Sequence, residues 1–525
     1  MASPHPAATP SDVAALPVDA ARRNILMTLV IAATVMQVLD QTIANVALPH
    51  MQGSLGAAPD TISWVLTSYI VASAVATPVT GWLSDKMGRR NLMIMTVAGF
   101  TAASALCAVS ISLPMMVGAR LLQGTFGAFI IPAGQALMLD INPKSRHPQA
   151  MTIWGLAAMV APVMGPVLGG WLTDTFDWRW VFMINVPIGV LALIGLLIFM
   201  PRAPIVASRF DMTGFGFLFI AIASFQLMLD RGQQNDWFES TETIVEAALA
   251  FTGGAAFLIH TLTTPDPLLP VAIFRDRNLV ISCLFILMVV GLVMASSALI
   301  PQLLQSLMGY DAYGAGLVTM PRGVAMAASM LFGGRLARMV DRRAIILFGM
   351  ILTAISMHMM MGATLDMSGR LIVISGIVQG FGFGCVFLPL NLMAFGTLDP
   401  HYRTQGAGLY SLARSLSGSI AISLMSSLVA RQVQISHADL AQHITLGASA
   451  LLGPAMRAAS GMAPGSAMLM VDGEVNRQAT MIAYIDAFTV MFWFCLIAAP
   501  LILFLRTAPT RQATPEEAGH AMAME

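Results

Sequence analysis

Long apolar stretches alternate with short polar or charged segments along most of the chain. A helix needs about 20 apolar residues to cross the hydrocarbon core of a bilayer. The pattern therefore predicts an all-α integral membrane protein with fourteen transmembrane helices, called spans 1 to 14 here. In order, the predicted spans are 26–48, 61–83, 91–112, 114–138, 150–172, 180–200, 212–229, 243–262, 279–304, 314–334, 344–363, 370–395, 404–430 and 482–505.

The distribution of basic residues predicts the orientation. Lys and Arg concentrate in cytoplasmic segments of membrane proteins. If the N-terminus is cytoplasmic, 18 of the 27 basic residues fall in inner segments, six in outer loops and three inside spans. An even number of spans then places both termini in the cytoplasm. The first apolar run is too long for a cleaved signal peptide, so we interpret it as a retained first span.

Composition excludes several classes of function. Only 10% of the residues are charged and the mean hydropathy is +0.76, whereas soluble domains contain about 25% charged residues. The net charge is zero, which gives no general attraction to nucleic acid. Neither lysine lies in a P-loop, and no CxxC or HExxH spacing occurs. The sequence therefore predicts no enzyme activity, no cofactor and no metal site.

Two segment pairs indicate an internal repeat. GWLSDKMGRR (81–90) after span 2 resembles GRLARMVDRR (334–343) after span 10, and QGTFGAFIIP in span 4 resembles QGFGFGCVFLP in span 12. Two six-helix halves separated by two extra helices would produce this offset, and parallel repeats are typical of transporters. The predicted division is a cytoplasmic tail 1–25, a first half 26–200, extra helices and linkers 201–278, a second half 279–505 with a long periplasmic loop 431–481, and a cytoplasmic tail 506–525.

An ionisable residue lies inside span 1, in the stretch LDQTIANVALP (39–49). Asp40 shares one helix face with Gln37, Gln41 and Asn45, and a polar face within a membrane must meet protein or water. At 1.5 Å per residue, Asp40 and Arg120 of span 4 lie at nearly the same depth. This placement makes the two charged side chains candidate partners.

Several motifs resemble the 14-helix drug:proton antiporters of the major facilitator superfamily, the EmrB/QacA type. GWLSDKMGRR is similar to the loop motif GxLaDrxGrr of that family, and Arg120 to Gly124 is similar to the span 4 motif RxxqGxga. The segment 165–170 matches the span 5 motif GPxxGG, and LDQTIANVALP resembles the span 1 motif of the 14-helix branch. The resemblance covers essentially the whole chain after residue 22.

The resemblance implies proton-coupled export of lipophilic or amphipathic toxic compounds by alternating access, with the proton gradient as energy source. In the family fold, spans 1 and 4 line the cavity of the first half, so Asp40 and Arg120 are expected to face each other directly or through water. Burial favours a neutral carboxyl group and a nearby guanidinium favours the charged form, so Asp40 is predicted to carry the coupling proton. The alternative is that Asp40 and Arg120 form a static ion pair that only positions the two helices. Further cavity candidates are Gln37, Gln41, Asn45, Gln123, Arg322, Gln379, Asn391 and Arg414.

Two further motifs have expected mechanical roles. A cytoplasmic gate is predicted at the loop motif, where Asp85 would meet the positive N-terminus of a helix in the second half. An ordinary basic anchor would explain the arginines there but not the spaced glycines. The span 5 motif is predicted to pack closely and bend, which suits an outer seal. The gate residues are Gly81, Asp85, Gly88, Arg89 and Arg90, and the span 5 residues are Pro162, Gly165, Pro166, Gly169 and Gly170.

The resemblance also implies partners and a location. The long outer loop 431–481 is similar to that of EmrB-like permeases, which work with a periplasmic membrane-fusion adaptor and a TolC-like outer-membrane channel. We therefore expect a bacterial inner-membrane protein that handles small lipophilic substrates and protons within the lipid bilayer, and binds an EmrA-like adaptor. The alternative is a proton-coupled exporter of one narrow physiological substrate, such as a siderophore, a fatty acid or a phenolic compound.

Overall fold

The computed structural model describes residues 19–58, 61–143, 146–201, 210–265, 267–336, 340–399, 402–443 and 464–506. Within these ranges the chain forms sixteen α-helices. They are α1 (Ala20–Leu55), α2 (Trp64–Ala76), α3 (Thr80–Ala108), α4 (Leu113–Asp140), α5 (His147–Thr175), α6 (Trp180–Met183), α7 (Asn185–Phe199), α8 (Met212–Arg231), α9 (Thr241–Thr263), α10 (Val271–Arg275), α11 (Arg277–Leu307), α12 (Ala312–Leu336), α13 (Arg342–Met361), α14 (Gly369–Ala394), α15 (Arg403–Ala441) and α16 (Pro464–Ala498).

The predicted all-α membrane class is confirmed. Helices lie at each of the fourteen predicted positions, with span 6 divided between α6 and α7. Among the described residues, eleven helical segments are long and apolar enough to cross a membrane, and one of them includes both α2 and α3. The count of fourteen spans therefore stays a prediction. We call the face at which α1 begins the inner face and the opposite one the outer face.

The boundary between spans 2 and 3 differs from the prediction. The α-helix α2 ends at Ala76, and a 3-10 turn over Thr77–Val79 follows, since Pro78 lacks the N–H that a continuing helix needs. The charged segment after it was predicted as a loop, but it is helical within α3. Only Gly88 departs from helical geometry there, with φ 77° and ψ 148°. A positive φ favours glycine, and it lets the chain change direction.

The outer loop between spans 13 and 14 is also more helical than predicted. The 39 residues of α15 span about 58 Å at 1.5 Å per residue, well beyond a hydrocarbon core of about 30 Å. Residues 431–441 and 464–481 continue α15 and α16 into this loop, while 444–463 lie outside the described residues. Gln432 donates to Asp486 at 2.7 Å, and His437 Nε2 lies 3.0 Å from a carboxylate oxygen of Asp472. The loop therefore begins and ends as a paired helical hairpin.

The two halves repeat the same helix pairings. In the first half α2 and α3 pack on α4, and α1 packs on α5; in the second half α12 and α13 pack on α14, and α11 packs on α15. Between the halves, α5 packs against α12, and α15 packs against α4. The extra helix α8 contacts α2 of one half and α15 of the other, and α9 packs on α8. The extra hairpin thus lies beside the junction of the halves.

Candidate functional site

A closed network of polar side chains surrounds Asp40 within the first half. One carboxylate oxygen of Asp40 lies 2.7 Å from Arg120 Nη1. The other oxygen accepts hydrogen bonds from Gln123 and Asn185, both at 2.8 Å. Both amides also donate to the hydroxyl oxygen of Ser104, at 2.6 and 3.2 Å. Helices α1, α3, α4 and α7 therefore converge on one carboxylate.

Arg120 is held by more than its carboxylate partner. Its Nε donates to the Val65 carbonyl at 3.0 Å, and its Nη1 also donates to the side-chain oxygen of Gln123 at 2.7 Å. The guanidinium carbon lies 4.3 Å from the ring centroid of Tyr69 and 5.5 Å from that of Phe182. Cation–π contacts and carbonyl bonds do not depend on the charge of Asp40. The guanidinium therefore keeps partners when that carboxylate is neutralised.

The predicted contact between Asp40 and Arg120 is confirmed, and it is direct. The expectation of an open cavity at this pair is not met in this conformation, because Asp40 is 0% and Arg120 1% exposed. Buried amides and the Tyr69 ring fill the space around the pair. An apolar cluster that includes Ile43 and Val65 packs on its outer side. A buried ion pair is tolerated only when further hydrogen bonds satisfy both charges, and the network provides them.

The predicted polar face of span 1 divides into two parts. Gln37 is buried and donates to the Tyr69 hydroxyl at 3.2 Å. Gln41 and Asn45, which lie nearer the outer face, are exposed. Only the inner part of this face is therefore buried within the closed network.

The candidates in the second half occupy separate environments. Gln379 and Ser296 exchange hydrogen bonds at 3.0 and 3.2 Å. Asn391 accepts a bond of 3.1 Å from Gln135 of the first half. Arg322 donates to the Val293 carbonyl at 2.9 Å. The fourth candidate, Arg414, is half-buried in α15.

The gate motif contacts both halves. Asp85 accepts a hydrogen bond of 3.1 Å from Gln405 in the first turn of α15, so the predicted meeting with the start of a second-half helix is confirmed. A Cβ added at Gly81 would lie 2.7 Å from Gln405 Cγ, which shows how closely the halves approach there.

The arginines of the gate motif bind within the first half instead. Arg89 pairs with Asp140 at the inner end of α4. Arg90 donates to the carbonyls of Leu197 and Met200, both at 2.8 Å, and so caps the end of α7.

The span 5 motif packs on α1 through two of its three glycines. A Cβ at Gly165 would overlap Thr42, whose own Cβ would be 2.8 Å away, and a Cβ at Gly169 would lie 2.9 Å from Ile43 Cγ1. Gly170 has nothing within 4 Å of an added Cβ. The side chains of Pro162 and Pro166 lie outside the described residues.

Sequence reasoning missed several polar residues that the fold recruits. They are Tyr69, Ser104, Gln135, Asn185 and Gln405. The only signal in the sequence is that these residues are polar and lie in or next to apolar spans, and this signal does not identify the residue that each one contacts.

Two cavities lie away from the Asp40 network. One, of about 370 Å³, lies between α13 and α16, and the other, of about 460 Å³, lies between α8 and α9; both are lined mainly by apolar side chains.

Comparisons with known proteins support one family. Residues 30–422 match the family model of the Major Facilitator Superfamily. The chain is 34% identical to the multidrug export protein EmrB of Escherichia coli K12 over 82% of this chain and 84% of that protein. It is 30% identical to the fatty acid resistance protein FarB of Neisseria gonorrhoeae over 90% of this chain and 93% of that protein. The crystal structure of the human organic anion transporter MFSD10 has a TM-score of 0.58 at 16% identity and covers 90% of this chain and 99% of its own. At that identity the likeness shows the fold alone.

Proposed function

The chain belongs to the Major Facilitator Superfamily, and from this membership we propose that it is a proton-coupled exporter of lipophilic or amphipathic toxic compounds. Members of this family are multi-pass membrane transporters of small molecules, and the chain is a transporter and not an enzyme. Its relatives include proteins named as multidrug exporters. The observation that carries the proposal is the buried carboxylate of Asp40 with its closed set of donors.

The network accommodates both protonation states of Asp40. In the charged state its oxygens accept from Arg120, Gln123 and Asn185. Among the described residues, the side-chain oxygen of Asn185 is buried and has no partner. A turn of this amide would present that oxygen to a protonated carboxyl group, which then becomes a donor. Proton uptake would leave Arg120 as the uncompensated charge of the network.

The proposed cycle couples this charge change to movement of the halves. Two contacts between the halves, from Asp85 to Gln405 and from Gln135 to Asn391, lie near the inner face. We assign this arrangement to the outward-facing state. A proton would enter from outside, the inner contacts would open, and the proton would be released inside, where substrate is captured. Return to the outward-facing state and release of the substrate outside would complete the exchange.

The location and partners follow the same proposal. The basic residues favour an inner membrane protein with both termini in the cytoplasm. The hairpin formed by the outer parts of α15 and α16 extends beyond the predicted membrane limits, and we assign it to contact with a periplasmic EmrA-like adaptor that leads to a TolC-like channel. No cofactor is needed, because the proton gradient supplies the energy.

Drug-driven proton release from proteoliposomes tests the proposal. We expect Asp40→Asn, which keeps the shape of the side chain, to abolish exchange between pH 6 and 8 at normal folding and abundance. Asp236→Asn serves as the matched control, since it makes the same substitution at an exposed residue between α8 and α9 and should leave exchange unchanged. Intact exchange in Asp40→Asn would show that the carboxylate has only a structural role, as a partner of Arg120.

A narrower substrate range is the second candidate. FarB, which matches over most of both chains, is named for fatty acid resistance. Transport restricted to one acidic compound, with ethidium and neutral drugs excluded, would favour this candidate over multidrug export.

A further inference from the structure

The internal repeat identifies the second-half counterparts of the Asp40 network. In α4, a Cβ at Gly124 would overlap the carbonyl oxygen of Tyr69; in α14, a Cβ at Gly380 would overlap the carbonyl oxygen of Arg322. The two gate-like segments are offset by 253 residues, and the same offset relates Tyr69 to Arg322. Arg322 of α12 therefore occupies the position that Tyr69 of α2 has in the first half.

The position equivalent to Arg120 also differs between the halves. The Gln-Gly pairs of α4 and α14 match at an offset of 256, so Gly376 is the counterpart of Arg120. A Cβ at Gly376 would lie 3.4 Å from the Arg322 Cβ, so this glycine leaves room beside the arginine. The second half thus keeps a guanidinium at this level but supplies it from another helix.

The carboxylate has no counterpart. Pro49 and Pro301 mark equivalent points within α1 and α11, so Leu292 corresponds to Asp40. Side-chain packing agrees with this register, because Gly165 faces Thr42 and Gly418 faces Met294. The position that neutralises the arginine in the first half is apolar in the second.

The Arg322 side chain points into the protein and is incompletely paired. The exposed apolar residues of α12, Leu317, Val324 and Leu331, lie roughly 140° to 200° around the helix from it at 100° per residue. Within the described part of the chain its one hydrogen bond goes to the Val293 carbonyl, and it has no acidic partner. Its other nitrogens are not among the fully buried atoms that lack a partner, and the residue as a whole is partly exposed.

Arg322 is not needed as a hydrogen-bond donor to a free backbone carbonyl group. The Val293 carbonyl already accepts hydrogen bonds from the hydroxyls of Ser296 and Ser297, at 3.1 and 2.7 Å. An intramembrane charge without a partner is costly, and such residues mark substrate or ion sites. Guanidinium binds carboxylate and sulfonate-like anions through several N–H groups at once.

We propose that Arg322 is a binding site for the anionic group of an amphipathic substrate, which supplies the negative charge that Leu292 cannot. The inference rests on the proposed export function and names a substrate class for it. Positive charge would then be balanced differently in the halves, by the charged form of Asp40 in the first and by the substrate in the second.

Paired probes with and without a negative charge test the inference. Transport into inside-out vesicles would be measured for 8-anilinonaphthalene-1-sulfonate and for neutral N-phenyl-1-naphthylamine, which share their rings, with ethidium as a cation. We expect Arg322→Gln to raise the half-saturating concentration of the sulfonate about tenfold or more, because a charge-assisted hydrogen bond is lost. The neutral probe should change less than about threefold.

Three further variants separate binding from folding. Arg322→Lys keeps the charge and should retain most sulfonate transport. Leu292→Asp supplies an internal carboxylate and should reduce sulfonate transport as strongly as Arg322→Gln. Arg370→Gln removes an exposed positive charge from the same half and should leave all three probes unchanged.

Each remaining outcome is decisive. Equal effects of Arg322→Gln on the charged and neutral probes, or no effect on either, would make Arg322 a structural residue. Wild-type transport of ethidium or the neutral probe without the sulfonate would overturn the anion site and leave the export function standing. Transport of none of the three probes would overturn the proposed multidrug export, and with it the anion site that rests on that function.

Discussion

At the scale of single residues, Asp40 and Arg322 show two ways to keep a charge inside a membrane protein. Asp40 accepts three hydrogen bonds from side chains on α4 and α7. Arg322 donates one to a backbone carbonyl. A charged group whose hydrogen bonds are all made within the protein stabilises the local structure, whereas an incompletely paired group can still form hydrogen bonds with a ligand. This difference in pairing underlies the separate roles proposed for the two residues.

Asn185 should stabilise the fold through the Asp40 network. Asn185→Ala removes a hydrogen bond to a buried carboxylate, which contributes about 1.5–3 kcal/mol. The variant should therefore unfold at a lower temperature in detergent. Asn45→Ala is the matched control, since Asn45 is exposed and donates only a bond of 3.5 Å to the Gln41 carbonyl; it should change stability by less than about 0.5 kcal/mol. Equal losses in both variants would contradict a special contribution of the network.

The charged members of the site were predictable from the sequence, and the neutral ones were not. Asp40 and Arg120 are conspicuous because ionisable residues are rare in spans and their depths follow from the helical rise. Asn185 and Ser104 resemble many polar residues that bond within their own helices. Their role depends on how α3 and α7 approach α1, which only the packed structure defines.

At the scale of elements, the seam between α1 and α5 depends on which glycines of the span 5 motif face α1. Gly165 and Gly169 face α1, while Gly170 of the same motif does not. The sequence predicted close packing for all three glycines, but the rotation of a helix about its axis decides which of them meet a neighbour. Substitutions at neighbouring glycines should therefore have opposite consequences.

Gly165→Ala should weaken this seam. The added methyl group would overlap Thr42 at its Cβ as well as its hydroxyl, so rotation of that side chain cannot relieve it, and overpacking of this kind costs about 1–3 kcal/mol. Gly170→Ala should be neutral, or stabilising by up to about 1 kcal/mol, because alanine has the higher helix propensity. Thermal unfolding and transport by the two variants would check this. Equal losses in both would show that helix flexibility, and not packing on α1, explains the motif.

The α8–α9 hairpin is closed at its inner end by an aspartate that caps α8. Asp211 accepts from the backbone N–H groups of Gly214 at 2.8 Å and Leu268 at 3.2 Å, and lies 2.9 Å from His260 Nε2. Burial raises the pKa of Asp211, but these hydrogen bonds outweigh it and lower the pKa below its usual value. The charged carboxylate therefore stabilises the folded hairpin.

The sign of this shift predicts an acid-sensitive contribution to stability. A carboxyl group with a lowered folded pKa stabilises fully above its unfolded pKa of about 3.9, and the contribution disappears as the pH falls through the folded value. The difference in stability between the wild type and Asp211→Asn should therefore shrink as the pH falls below about 4. Melting temperatures between pH 3.5 and 7 would measure it. A difference independent of pH over that range would assign the effect to shape and not to charge.

At the scale of the whole molecule, the repeat was visible in the sequence because its two motif pairs keep their spacing. Helix pairings in the structure follow the same order in both halves. The contact between Gln135 and Asn391 across the halves could not be predicted from the sequence. Gln135 and Asn391 lie 256 residues apart, the offset that relates α4 to α14, so equivalent positions meet each other. Such a contact lies near the pseudo-symmetry axis, and only the docked halves reveal it.

Breaking these inner contacts should shift the molecule towards the inward-facing state. Gln135→Leu removes one buried hydrogen bond between the halves and leaves Asn391 without this partner, a change of about 1 kcal/mol or more that alters a two-state ratio about fivefold. Spin labels on Asn91→Cys and Ala344→Cys, exposed equivalent positions of α3 and α13, would report the separation of the inner ends. A population at longer distance should grow in Gln135→Leu and in Asp85→Asn. Gln432→Ala, in the outer hairpin, should leave the distances unchanged because it breaks a bond within the second half. Identical distributions in all variants would mean that the seam between α5 and α12, and not these polar contacts, holds the inner face closed.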